Sequence, residues 1–202
     1  MPSIPSAGAL AAAGLLLAGC ASTVVDAQWR SSELPAGHLR GATVLVTCET
    51  GELVIKRICE DRVVADLGAR GVRALLSAPD DAAAPAGVGD MQHLSAARRS
   101  GARAVFSVSV GLASQSVSPG FTIGIGGFGF GRHSAGGVGV SAPIGGGQVN
   151  AGYAANGRVT DAASGRLMWT ARASAPPSSD VNGQLAELSR SVLDAAGSAG
   201  LF

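Results

Sequence analysis

The chain has 202 residues, of which 15 are Lys or Arg and 14 are Asp or Glu, so its formal net charge is only +1. This balance excludes the strongly basic surface that nucleic-acid binding requires, and the acidic surface that favours basic partners. The length suits one domain with its own core and is short for two.

An apolar segment at the amino terminus ends in the tetrapeptide LAGC, whose last residue is Cys20. The tetrapeptide resembles the lipobox of bacterial lipoproteins, in which the cysteine thiol receives a diacylglyceryl group and a peptidase removes everything before it. The resemblance implies a signal peptide at residues 1–19 and a lipid anchor at Cys20. Because the next residue is Ala21 and not Asp, it also implies sorting to the outer membrane. The alternative is an uncleaved membrane helix, but the apolar run from Ala7 to Ala21 has 15 residues without charge, which is the length of a signal peptide and below the ~20 residues of a span.

Residues 20–41 are interpreted as a lipidated tether that begins to dock near Trp29, and residues 42–202 as a single periplasmic domain. In that domain, residues 42–48 alternate between two faces, as a strand does. Over residues 53–69 the apolar residues recur every four positions instead, which is typical of an amphipathic helix.

The pattern then returns to strands. Residues 72–77 predict a strand, and a short helix follows between Asp90 and Gly101. Residues 104–112 again alternate, with one apolar face for a core.

The end of the chain predicts a hairpin and a helix. Val149–Thr160 and Arg166–Ser174 alternate on either side of a turn at residues 161–165. Asp180–Ala196 then carries an apolar stripe, and the last two residues are expected to fold back onto this helix.

These elements predict an α/β protein, more closely an α+β sandwich, in which about three helices pack on a mixed β-sheet. The expected order is β-α-β-α-β-(β-β)-β-β-α, with the bracketed strands in a Gly-rich insert at residues 111–152. Gly fills 14 of the 42 positions of this insert, and its only charge is Arg132. One interpretation pairs residues 121–130 with 138–144 as a hairpin that enters the outer membrane in an oligomeric barrel. The other makes the hairpin a mobile periplasmic extension of the sheet, which the Gly content and the short strands favour.

The predicted hairpin carries the motif Thr160-Asp161-Ala-Ala-Ser-Gly165-Arg-Leu-Met-Trp169. With the Gly-rich insert before it and the helix after it, this motif resembles a group of uncharacterised Gram-negative lipoproteins whose pattern reads D-a-x-T-G-x-x-x-W. Ser164 replaces the usual Thr. More distantly, the element order is similar to the periplasmic domain of curli-secretion-channel lipoproteins and of the Tol translocation protein. The resemblance implies a fold and a compartment, and it implies no agreed activity.

Cys48 and Cys59 are the two cysteines of the predicted domain, and both lie on faces turned toward the core. A pair of cysteines in the cell envelope can be oxidised to a disulfide. If the helix begins at Leu53, however, Cys59 lies about 9 Å along it, and a disulfide needs alpha carbons within about 7 Å. A helix that begins near Ile58 would remove this conflict. A disulfide and two buried thiols both remain open.

The three histidines, His38, His93 and His133, are far apart in the sequence, so we expect solvated side chains and no metal site. Gly124–Gly129 matches G-x-G-x-x-G, but the residues after it cannot open a helix, so no dinucleotide cofactor is expected. The common hydrolase motifs are absent from the sequence, and we predict no catalytic residues.

The remaining candidates have ordinary interpretations. Asp161 in a turn, and Asp66 and Glu60 on a helix, are interpreted as surface charges. Tyr153 and Trp169 are interpreted as core aromatics and not as a binding platform.

The leading hypothesis is a non-enzymatic lipoprotein, anchored in the outer membrane by lipid on Cys20 and facing the periplasm. It would bind or scaffold an envelope protein whose identity the sequence does not give. An oligomeric secretion-channel or pore subunit is the first alternative, which amphipathic hairpins would favour. An enzyme is the second, and a pocket with clustered Asp, His and Ser side chains would favour it.

Overall fold

The computed structural model describes residues 22–77, 89–117 and 149–202. This part of the chain contains six strands and three helices. The strands are β1 (Val24–Arg30), β2 (Thr43–Glu49), β3 (Arg73–Leu76), β4 (Ala104–Val117), β5 (Val149–Asp161) and β6 (Leu167–Ser174); the helices are α1 (Leu53–Ala69), α2 (Gly89–Arg99) and α3 (Val181–Ser198). The mixed sheet and the three helices confirm the predicted α+β class.

The six strands form one sheet in the order β1-β6-β5-β4-β2-β3. β2 is parallel to β3 and to β4, because α1 and then α2 carry the chain back between them. The other neighbours are antiparallel, and β4 and β5 form a long ribbon that runs from the Ala104–Asp161 pair to the Val117–Val149 pair. The sheet is therefore parallel on one side and antiparallel on the other.

The main core lies between one face of the sheet and helices α1 and α3. Its largest completely buried side chain is Trp169 on β6, whose ring centroid is 6.2 Å from that of Phe106 on β4. Both aromatic residues belong to one cluster of buried side chains with the apolar stripes of the two helices. The prediction that Trp169 is a core residue is confirmed.

Gly157 on β5 allows α3 to approach this face closely. A β-carbon at this position would overlap Val192 of α3 and would come within 3.2 Å of the Trp169 ring. The glycine is therefore required by close packing, which is one reason for Gly inside a strand.

The second face of the sheet is only partly covered. Helix α2 packs on β2 and β4 through a small cluster that has its own buried residues: Leu45, Leu94, Ala97, Ala102, Val105 and Ala162. On the antiparallel side of the same face, β6 presents Thr170 and Arg172, which alternate with the core residues Trp169 and Ala171. Strands β1 and β6 thus keep a face that no helix covers within the described ranges.

Strand β1 corrects the expectation that the folded domain begins only at residue 42. Residues 24–30 lie inside the segment interpreted as a tether, but they pair with β6 along their whole length. The sequence pattern does not reveal this strand, because all seven side chains are exposed and a bulge between Val25 and Ala27 shifts the alternation. Only three residues, 21–23, separate Cys20 from the start of β1 in the sequence.

The segment between β1 and β2 also belongs to the domain. Leu34 and Leu39 are buried in the main core. The backbone N–H of Gly37 donates to the Gly200 carbonyl at 2.7 Å, and that of Leu39 donates to the Leu201 carbonyl at 2.7 Å. Leu201 is completely buried, so the expected return of the last residues onto α3 is confirmed.

The proposed hairpin of residues 121–130 and 138–144 lies outside the described residues, as do the glycine motif at Gly124–Gly129 and His133. The flanks of the Gly-rich insert are described, and they continue β4 to Val117 and begin β5 at Val149.

Candidate functional site

Cys48 and Cys59 lie together on the core side of β2. Their sulfur atoms are bonded in the structure, and their alpha carbons are 6.2 Å apart. Helix α1 does begin at Leu53, so the prediction that this start conflicts with a disulfide is wrong. The rise of about 9 Å separates Cys59 from Leu53, not from Cys48. Because α1 runs back alongside β2, the six residues from Leu53 to Cys59 bring the chain back to Cys48.

His38, Asp161 and Ser164 form a cluster of the kind that would favour an enzyme. His38 Nε2 lies 3.8 Å from Asp161 Oδ2. The hydroxyl and the backbone N–H of Ser164 both donate to Asp161 Oδ1, each at 2.7 Å. The hydroxyl thus donates its hydrogen to the carboxylate and not to the imidazole. A serine nucleophile needs the reverse arrangement, with its hydroxyl on the histidine and the carboxylate behind it.

Burial and neighbouring groups shift the pKa values of both His38 and Asp161. Burial lowers the pKa of His38; the negative charge of Asp161 acts against this lowering, and the positive charge of Arg103 adds to it. Burial raises the pKa of Asp161, but the two hydrogen bonds from Ser164 and the charge of His38 outweigh burial and leave that pKa lowered. The cluster fixes the turn of the β5–β6 hairpin against the loop that contains His38, which is a structural role.

The predictions that the Glu60 and His93 side chains are solvated are wrong. Glu60 is 1% exposed instead of solvated, and its carboxylate lies 3.7 Å from Lys56 Nζ and 3.0 Å from Arg57 Nη1. His93 is buried too, with Nδ1 3.4 Å from the Ser77 hydroxyl. Period-four reasoning places residues on a helix face, but it does not show how much of that face neighbouring segments cover.

A cavity of about 290 Å³ lies at the end of the sheet where β2 finishes and β4 begins its extension. Tyr153 and Leu112, which are paired across β4 and β5, form one side of it. Its lining residues are Thr50, Gly51, Glu52, Ile55, Val110, Gly111, Leu112, Ala151 and Tyr153. In open α/β sheets, the carboxyl ends of parallel strands are the usual place for a binding site.

The edge of this cavity is apolar and open to solvent. Leu53, Val54 and Leu112 are 65%, 69% and 53% exposed. Leu112 lines the cavity itself, while Leu53 and Val54 lie between its lining residues Glu52 and Ile55 in the first turn of α1. We call these three side chains the apolar rim.

A shallower groove of about 200 Å³ lies on the uncovered face of β1 and β6. Trp29, which is 49% exposed, forms part of it together with Thr170 and Arg172. The Arg172 guanidinium is 3.4 Å from the carboxylate of Asp26, which also accepts a hydrogen bond from the Ser174 hydroxyl at 2.9 Å.

The described ranges contain no group of three or more His, Cys, Asp or Glu side chains that could hold a metal ion. None of the three helices has the length and apolar character needed to cross a membrane. Cys20, the predicted lipidation site, lies before the described residues.

No protein-family model and no curated protein matches the sequence. The chain is similar to solved structures of low sequence identity. A PelC dodecamer from Paraburkholderia phytofirmans is 16% identical, with a TM-score of 0.49 over 86% of this chain and 96% of that chain. A single-residue variant of the same protein gives 16% identity and a TM-score of 0.49 over 89% and 99% of the two chains. The lipoprotein GNA1162 from Neisseria meningitidis is 16% identical, with a TM-score of 0.40 over 78% of this chain and 99% of that chain.

Sequence reasoning missed both exposed surfaces. Leu53 and Val54 are the first two residues of a helix whose buried positions begin at Ile55, so they carry a detectable signal: two large apolar residues off the buried stripe. Trp29 carries a weaker signal, since its strand has no periodic pattern.

Proposed function

We propose that this chain is a non-enzymatic lipoprotein of the outer membrane, held by lipid on Cys20 and facing the periplasm, whose domain binds an envelope protein through the apolar rim. The observation that carries the proposal is the exposure of Leu53, Val54 and Leu112 beside a cavity at one end of the sheet. Large apolar groups in water raise the free energy of the free protein, and association that covers them recovers it.

The position of the rim supports a binding role. It lies at the end of the sheet, on the first turn of α1 and on β4 beyond its last pair with β2, at Ser109. We expect substitutions there to leave the buried core intact, because each of the three residues is more than half exposed. A surface of this kind can therefore be altered without loss of the fold.

A non-enzymatic role is supported by the arrangement of the polar cluster. Ser164 donates to Asp161, and the cluster residues are not among those that line the two cavities.

The proposed location depends on the amino-terminal sequence. The tetrapeptide LAGC resembles a lipobox and supplies Cys20 as the lipidated residue. Because Ala21 and not Asp follows the cysteine, the same resemblance implies sorting to the outer membrane. Cleavage before Cys20 would make the lipid the amino-terminal attachment of the domain to the membrane.

Site-specific photo-crosslinking in the native envelope tests the binding role. A photoreactive residue is placed at Val54 or at Leu112, and at Leu167 as the matched control. Leu167 is also apolar and 40% exposed, but it lies near the opposite end of the sheet, where it pairs with Thr160. We expect one discrete product of a second protein from positions 54 and 112, and none from position 167.

The same product should be lost in Leu53→Asp, while the melting temperature of that variant stays near the wild-type value. Products at multiples of the chain's own mass would instead support the oligomeric secretion-channel alternative. Equal products from all three positions, or none from any of them, would contradict a binding role for the rim.

A further inference from the structure

We propose that the uncovered face of β1 lies against the bilayer, so that Val24 and Trp29 enter the membrane interface. This inference depends on the lipid anchor of the proposed function. It assigns to the membrane a surface that is distinct from the apolar rim.

The first argument is the length of chain between the anchor and the sheet. Val24 is the fourth residue after Cys20, and a fully extended chain spans at most about 3.3–3.6 Å per residue. Whatever conformation the intervening residues adopt, the start of β1 lies within roughly 14 Å of the alpha carbon of Cys20. The polar headgroup layer is roughly 5–7 Å thick on each side of the bilayer. The sheet edge that begins at Val24 is therefore held next to this layer.

The second argument is the set of side chains on this edge. In the register with β6, Val24 lies opposite Ser174, Ala27 opposite Arg172, and Trp29 opposite Thr170. These β6 residues alternate with the buried residues of the same strand, so their partners share the face away from α1 and α3. Three β1 residues on this face, Val24, Ala27 and Trp29, are apolar, and Val24 and Trp29 are 55% and 49% exposed. The carboxylate of the bulge residue Asp26 also reaches this face, where it contacts Arg172 and Ser174.

The third argument is the chemistry of the groups around Trp29. An indole places an apolar body and a polar N–H at one boundary, and Trp is enriched at membrane interfaces for this reason. Arg172 lies beside it with a side chain that is 51% exposed, which suits a position at lipid phosphates. The one acidic group of the strand, Asp26, is paired with Arg172 and Ser174, which reduces its repulsion from anionic headgroups.

The orientation of the domain follows from these positions. Trp29 is five residues beyond Val24, which corresponds to about 17 Å along a strand. Both side chains reach the interface only if β1 lies along the bilayer surface instead of standing upright on it. β2, which precedes the apolar rim, is four strands away from β1 in the sheet, or roughly 19 Å at the usual strand spacing. The rim can then face the periplasm.

Fluorescence quenching tests the inference on the full lipidated chain. The chain has two tryptophans, and Trp169 is completely buried, so Trp29→Phe isolates the constant signal of Trp169. The mature lipoprotein is placed in vesicles of phosphatidylethanolamine and phosphatidylglycerol, and quenching by brominated lipid is compared with quenching by acrylamide in the water. The control is the double variant Trp29→Phe, Val54→Trp, which moves the reporter to the apolar rim.

We expect brominated lipid to quench the Trp29 signal several-fold more than that of the reporter at position 54, and acrylamide to show the opposite order. Trp29 quenched only by acrylamide would overturn the inference. Trp29 shielded from both quenchers would also overturn it, and would indicate a protein, such as a second copy, on β1.

The mass of the mature amino terminus separates this inference from the proposed function. If acyl groups are present on Cys20 and Trp29 remains in water, only membrane docking of β1 is overturned. If acyl groups are absent from Cys20, the anchor fails and the docking inference fails with it.

Discussion

Cys59 on helix α1 lies over Cys48 on strand β2, with 6.2 Å between their alpha carbons, and the two residues are eleven positions apart in sequence. The short loop after β2 turns the chain so that α1 runs back along the strand it follows. Both side chains belong to the main core, so a bond between them connects the first helix to a central strand.

We predict that the two sulfur atoms are oxidised to a disulfide in the mature protein. Chain-entropy estimates for a loop of this size give roughly 3 kcal/mol of stabilisation, which Cys48→Ala with Cys59→Ala should remove in large part. Denaturant unfolding of the variant and the wild type measures the difference. Alkylation of unreduced, unfolded wild-type protein supplies the direct check, since two modified thiols there would contradict the prediction.

The second prediction is that folding stability decreases in mild acid through His38. Because burial lowers the pKa of His38 below its ordinary 6.5, the unfolded chain takes up this proton before the folded protein does. The stability associated with neutral His38 is therefore complete above pH 6.5, and it is lost as the pH falls from 6.5 toward the lowered folded-state pKa.

Melting temperatures of the wild type and His38→Gln, measured from about pH 8 to about pH 5, test this dependence. The wild type should lose more stability over this range than the variant. Asp161, whose pKa is lowered from 3.8, contributes stability that is lost only as the pH falls below 3.8, so the two effects occupy separate pH ranges. Parallel curves for the two proteins above pH 5 would exclude the role of His38.

The third prediction concerns the close contact at Gly157. Gly157→Ala places a methyl group against Val192 and Trp169, and overpacking of this kind typically costs about 1–3 kcal/mol. Gly111→Ala is the matched control on the adjacent strand, because no atom lies within 4 Å of the added carbon there. Denaturant midpoints should fall clearly for the first variant and stay within about 0.5 kcal/mol for the second. Equal losses would show that the strand backbone, not the contact, determines the effect.

The fourth prediction is that Cys20→Ser blocks maturation. The serine hydroxyl cannot replace the thiol as lipid acceptor, so the precursor should keep residues 1–19 and carry no acyl mass. Mass spectrometry of the amino terminus measures both properties at once. A wild-type chain that begins at a residue other than Cys20 would contradict the lipoprotein interpretation.

Sequence periodicity located the elements that face a core. The helix predicted at residues 53–69 matches α1, and the alternating residues 104–112 lie in β4. These predictions hold because burial forces apolar residues to repeat with the geometry of the element. The same reasoning missed β1, where no side chain is buried and pairing with β6 alone creates the strand.

The candidate sites were less predictable. His38 meets Asp161 and Ser164 because its loop lies against a turn more than a hundred residues later in the sequence. No local sequence pattern indicates such a contact. The burial of Glu60 has the same origin, since neighbouring segments cover a helix position that looks solvated. Leu53 and Val54 were visible as apolar residues, but only the structure shows that they remain exposed.

The burial of Lys56 has a practical consequence for chemical labelling. It is the single lysine of the chain, its side chain is 10% exposed, and its Nζ lies 3.7 Å from the Glu60 carboxylate. If the amino terminus of the mature chain is acylated, Lys56 carries the last free primary amine. Amine-directed reagents would then modify the native protein slowly and at one position, and the rate at which a single mass increment accumulates would measure how often helix α1 opens.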